Sequence, residues 1–129
     1  MTGYDLIPLE SEEQAIKLAR SLESRIPFKG WVPCRICFVR ERRPDRVADC
    51  TLDMQIRLFE GGQTVGSLLH EMAHNSVNCL MDLIMTSGLS MLADGRQKAH
   101  AAHFELMLEF LVKIYESTRE EECSQLSLE

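Results

Sequence analysis

The sequence contains no apolar run long enough to span a bilayer, and its first residues, Met1 to Pro8, lack the basic segment and apolar core of a secretory signal. These absences predict a chain with no membrane partner, working in the cytoplasm, or in the nucleus if the cell is eukaryotic. Positive charge is also in short supply. Lys and Arg total 14 against 20 Asp and Glu, a net charge of -6, which argues against the broad basic footprint that nucleic-acid backbones demand. Cysteines number five, an odd count, and Cys34, Cys37, Cys50, Cys79 and Cys123 lack the spacing of a disulfide framework, so free thiols are expected. No internal repeat or low-complexity tract interrupts the chain.

What is present fits one globular domain. The chain has 129 residues, 45% of them apolar and 26% charged, enough for one core and too few for two. We expect the domain over residues 1–117, followed by an acidic, flexible tail over 118–129 that contains Glu120, Glu121 and Glu122.

Hydrophobic periodicity orders the elements. Ser11, Glu12 and Glu13 open a helix over about 11–25, with Ala15, Leu18, Ala19 and Leu22 on one face. Val32, Cys34, Ile36 and Phe38 alternate as in a half-buried strand, and an arginine-rich segment with Pro44 forms a turn. From Ala48 to Leu58 strict alternation predicts one long strand, or two joined by a bulge, returning antiparallel to the first. Gly61 and Gly62 end it. Thr64 caps a central helix with Val65, Leu68, Leu69, Met72, Ala73, Val77 and Leu80 as its apolar surface. Residues 81–93 read as a short Met-rich helix. A last helix runs from about Lys98 to Glu116, with Met107, Leu111 and Ile114 inward and Glu105 and Glu109 outward. The fold class is α+β, a small mixed or antiparallel sheet packed on helices.

The central helix carries His70-Glu71-Met72-Ala73-His74. On a helix the two histidines fall about 40° apart, so both imidazoles reach one metal, while Glu71, about 100° from His70, is placed to take a proton from water. That division of labour suits zinc-dependent peptide hydrolysis, with Zn2+ on His70 and His74 and Glu71 as general base. A catalytic zinc usually has three protein ligands. The remaining histidines, His100 and His103, both lie on the inward face of the last helix.

The order helix, strand, turn, strand, His-Glu-x-x-His, and then His100-Ala-Ala-His103-Phe104 resembles the SprT-like and WLM metallopeptidases over roughly residues 11–116. The resemblance implies a zincin-like fold, in which an active-site helix and a C-terminal helix pack on the sheet. It implies that His100 is the third zinc ligand, that Phe104 is a packing aromatic, and that His103 is a spacer residue able to bind substrate or sit beside the ligands. It also implies a peptide or protein substrate, with DNA as a secondary partner. Two features depart from the pattern. The separation of His74 from His100 is long for a compact WLM-type site, and there is no second Cys-x-x-Cys for a zinc ribbon.

Two further motifs are read conservatively. Cys34-Arg-Ile-Cys37 lies along a strand, where a three-residue step sends side chains to opposite faces, so it is structural. Arg40, Arg42, Arg43 and Arg46 form a solvated loop with a weak leaning toward an anionic partner. The strand over Met54 to Phe59 is expected to be a sheet edge to which an extended substrate adds. The competing reading is an idle zinc-binding regulatory or interaction domain. Nothing in the sequence sets the oligomeric state.

Overall fold

In the computed structural model, residues 7–26, 31–51, 53–86 and 93–128 are described. Side chains on the second and third helices are described up to Cys79 and from Ala102 to Arg119. Three helices and three strands follow in the order α1 (Glu12–Glu23), β1 (Arg35–Val39), β2 (Ala48–Cys50), β3 (Gln55–Phe59), α2 (Val65–Thr86) and α3 (Ala93–Leu128).

α1 begins where its capping chemistry puts it. The Ser11 Oγ accepts from the Gln14 N–H at 3.1 Å and the Gln14 side chain accepts from the Glu10 N–H at 2.6 Å, satisfying donors that the first turn leaves open. Ala15, Ala19 and Leu22 are the buried face. Glu23, at the end of the helix, accepts from the Trp31 indole N–H at 2.7 Å and the Cys34 N–H at 2.9 Å, tying α1 to the entry of β1.

The sheet is mixed, in the order β1-β3-β2. β3 pairs parallel with β1, in register Ile36↔Ile56 and Phe38↔Leu58, and antiparallel with β2, in register Ala48↔Leu58 and Cys50↔Ile56. This corrects two expectations. The alternating stretch over 48–58 is a hairpin and not one strand, and its second arm runs parallel to β1. The reversal lies between Thr51 and Gln55, where the Met54 N–H donates to the Thr51 carbonyl at 3.0 Å and Met54 takes a φ of 63°. β3 is therefore the central strand, so the expected edge over Met54–Phe59 is wrong. β1 and β2 are the edges, and β2 is the one whose residues line a cleft with α2.

Even-numbered strand residues form the core face. Ile36, Ile56 and Leu58 join Leu22 of α1, Leu68, Leu69 and Met72 of α2, and Met107 and Leu111 of α3 in one buried cluster. The odd face carries Arg35, Asp49, Gln55 and Arg57 together with Val39 and Phe59, and beside the Phe59 ring lie the guanidinium groups of Arg43 at 4.6 Å and Arg57 at 5.5 Å.

α2 begins at Thr64, whose Oγ1 accepts from the Ser67 N–H at 3.2 Å. It continues to Thr86 and so takes in the start of the expected short helix. Residues 87–92 lie outside the described ones. α3 starts at Ala93, earlier than expected, and its backbone is helical to Leu128. No glycine or proline occurs after Gly95, and Glu, Arg, Gln and Leu propagate a helix well. No described helix is long and apolar enough to cross a membrane.

The crossing between sheet and helix is tight at Gly62. A Cβ built there would lie 2.0 Å from the Val47 carbonyl oxygen, a backbone atom that cannot rotate away. Gly62→Ala is expected to lower stability by about 1–3 kcal/mol, read from the urea midpoint. An unchanged midpoint would show that the two segments are not held in contact.

Candidate metal centre

α2 turns its apolar side onto the sheet and so leaves one stripe, positions 70, 74 and 78, facing the edge strand. Leu68, Leu69, Met72 and Ala73 are fully buried and Val77 nearly so, whereas His70 is exposed and His74 and Asn78 are half-buried. Packing thus sets the rotation of the helix. The i, i+4 spacing then brings the two imidazoles together, with 3.2 Å between their Nε2 atoms and 4.8 Å between ring centroids.

That separation is informative. Two nitrogens each about 2.05 Å from a tetrahedral zinc lie about 3.3 Å apart, so the observed spacing, which is also that of a hydrogen bond between the two rings, suits a pair of ligands to one ion. Glu71 is buried, and its carboxylate and the two imidazole nitrogens all lie within 4.8 Å of one another. Among the described residues these three are the one group of His, Cys, Asp and Glu side chains close enough to hold a metal ion. The four described cysteines, Cys34, Cys37, Cys50 and Cys79, form no disulfide, and Cys34 is buried whereas Cys37 is half-buried.

An open cleft of about 360 Å³ contains the site, lined by Ala48, Asp49 and Cys50 of β2 and by His70, Glu71, His74 and Asn78 of α2. Asn78 secures the junction, its side-chain N–H donating to the Thr51 carbonyl at 3.2 Å. Asp49 is held from the far side by Arg57 in a two-pronged pair at 2.7 and 2.6 Å, with Arg46 at 3.3 Å.

The electrostatics follow from this placement. Burial pushes the Glu71 carboxyl up to about 7, reinforced by Asp49 and opposed by Arg46. A carboxyl in that range exchanges protons near neutral pH, as a general base must. Burial likewise pushes the Cys50 thiol up to about 12, with Glu71 adding to the effect, so it stays protonated. Hydrogen bonds from Arg57 hold Asp49 below the usual carboxylate range.

The third helix reaches the same place. The Phe104 ring packs against both imidazoles, with centroids 5.1 Å from His70 and 4.5 Å from His74. His103 is half-buried and does not belong to the His70, Glu71 and His74 cluster. The backbone at His100 lies in α3, and its side chain is outside the described residues. Sequence reasoning missed Asp49 and Asn78 as cleft residues. Asn78 was detectable as the next step of the i, i+4 stripe, but nothing local marks Asp49, which arrives through strand pairing.

Comparison with known proteins finds no matching family model, no matching curated protein and no matching solved structure.

The Asp49 pair generates a test. Its folded pKa is depressed, so its contribution is complete above the unfolded carboxylate value near 4 and is lost as pH falls through the folded value. Asp49→Asn is expected to cost about 1 kcal/mol at pH 7 and to flatten the acid limb of a pH–stability curve. An acid limb identical to wild type would mean that Asp49 is not held by Arg57 in solution.

Proposed function

We propose that the cleft is a zinc-dependent peptidase centre in which His70, His74 and His100 hold the metal and Glu71 is the general base. The observation that carries this reading is the convergence of the two imidazole nitrogens at 3.2 Å beside a buried carboxyl. A zinc ion there would lower the pKa of water and polarise the scissile carbonyl. Glu71 takes the proton from the attacking water and passes it to the leaving amine. Its raised pKa suits both transfers.

The edge strand supports a peptide as substrate. The Thr51 N–H donates to the Gln55 carbonyl at 2.8 Å and the Phe59 N–H to the Val47 carbonyl at 2.9 Å, so odd residues of β2 bond inward to β3. By antiparallel alternation, the main-chain groups of Ala48 and Cys50 are directed to the open side. Both residues line the cleft. An extended chain pairing with them lies alongside the histidine pair, and recognition through main-chain bonds leaves sequence choice to the flanking side chains.

Support for His100 comes from the resemblance and from Phe104. The aromatic touches both imidazoles, and position 100 lies one helical turn earlier on the same side of α3. His103 takes a role beside the ligands, toward substrate oxygen. The general fold, a small α+β domain with a three-stranded mixed sheet, accommodates a zincin-like arrangement.

Purified protein is expected to carry about one zinc per chain, measured by mass spectrometry. His70→Ala and His100→Ala should each lose it on dialysis, whereas His103→Ala should retain it. Metal loss in the His103 variant alone would reassign the third ligand, and a wild type that binds no zinc and gains no stability on adding it would sink the metal site. Glu71→Gln should keep the zinc and lower peptide cleavage by roughly 10²–10⁴-fold. Wild-type protein that binds zinc and cleaves no protein, with or without DNA, would make this an idle zinc-binding module.

A further inference from the structure

The loop over 40–47 leaves β1 on one edge of the sheet, crosses the end of β3 and delivers the chain to β2 on the other edge. The Glu60 N–H donates to the Glu41 carbonyl at 3.0 Å, which holds the loop against the end of β3. Its arginines have divided duties. Arg43 is committed to Phe59 and lies 3.5 Å from Glu41. Arg40 and Arg42 are exposed and have no ion pair among the described residues. Arg42 lies over the Gly61-Gly62 turn, which itself packs on Val47, the residue before β2.

Arg46 is the informative member. It pairs with Asp45 at 3.1 Å and Asp49 at 3.3 Å, yet it is exposed, and ion pairs at such sites are individually weak. Asp49 does not need it, because Arg57 already engages both carboxylate oxygens. Arg46 can therefore exchange partners without stranding a charge. It stands two residues before Ala48, at the end of the open edge, and its partner Asp49 lines the cleft.

The cleft is acidic at its centre through Asp49 and Glu71, and basic charge stands outside it at the loop end, with Arg46 paired to Asp49 and Arg42 farther along over the Gly61-Gly62 turn. We propose that this loop end is a specificity element, and that the cleft takes an extended peptide bearing Asp or Glu just beyond the residue paired with Ala48. An acidic peptide fits better than a nucleic acid. The basic patch is narrow, is interspersed with Glu41, Asp45 and Asp49, and belongs to a chain of net charge -6, whereas a phosphate backbone rewards a continuous positive track. The edge strand beside the patch offers main-chain pairing, which only a polypeptide reciprocates.

The inference concerns the cleft described under Proposed function, but its test reads binding and so stands apart from turnover. Fluorescent extended peptides that differ only in Glu against Gln at one position are titrated into Glu71→Gln protein and followed by anisotropy. The Glu peptide should bind about fivefold more tightly at low ionic strength, and the difference should vanish in concentrated salt. The exposed pair Arg42→Glu/Arg46→Glu should keep its melting temperature and reverse the preference, favouring a Lys peptide. Equal binding of Glu and Gln peptides would overturn the inference. So would loss of duplex DNA binding in the double variant with the peptide preference unchanged, which would give the loop to nucleic acid. If peptides show the preference and wild type cleaves none of them, the specificity element stands and the peptidase reading falls.

Discussion

The burial of one side of α2 on the sheet is the constraint on which the site depends. Leu68, Leu69, Met72 and Ala73 are fully enclosed, with Val77 beside them, and their removal from water is worth on the order of 1.5–3 kcal/mol for each of the larger side chains. A helix fastened along that much surface cannot roll. Its remaining stripe, His70, His74 and Asn78, must therefore look at the neighbouring edge strand, and Glu71, one step around, must lie at the border between core and cleft. The same packing that stabilises the domain orients the imidazoles and desolvates the carboxyl.

The acidity of Glu71 follows from its border position. A glutamate on the solvent side of α2 would keep an ordinary acidity and make a poor base at neutral pH, and one at the centre of the core would be out of reach of water. Glu71 is buried but still lines the cleft, and burial raises its affinity for protons. Its neighbour Asp49 shapes the same environment from β2. Two arginines hold Asp49 ionised, so its charge reinforces the proton affinity of Glu71 without competing for the proton. The sheet thereby contributes to the electrostatics of a cleft whose clustered His70, Glu71 and His74 all lie on α2.

The sheet is also where sequence reasoning met its limit, for a definite reason. The hairpin between β2 and β3 pairs Cys50 with Ile56 and Ala48 with Leu58, so three residues separate the paired Thr51 and Gln55. An odd loop preserves parity. Even residues therefore stay on the core face through the reversal, and a period-two pattern looks the same whether the chain continues or doubles back. The turn also lacks the usual punctuation, because its left-handed position is filled by Met54 and not by glycine. Strand order and direction follow from that hidden reversal, and with them the identity of the edge beside the histidines.

The sequence by itself determined where α1 and α2 begin and that His70 and His74 share one side of a helix. Helix starts are local events, and Ser11 and Thr64 cap α1 and α2 as their side chains dictate. The convergence of His70 and His74 needs only the pitch of a helix, and the inward side of α3 follows from the spacing of Met107 and Leu111. Tertiary structure decided what is brought to that stripe from afar. Asp49 enters the cleft through pairing with Arg57, Phe104 meets the imidazoles through the packing of α3 on α2, and Arg46 reaches the rim because the loop crosses the end of β3. Helical neighbours are fixed by rotation per residue, a property of the chain at short range. Partners across a sheet or between helices depend on which pairing buries the most apolar surface, and that comparison is made by the whole fold at once.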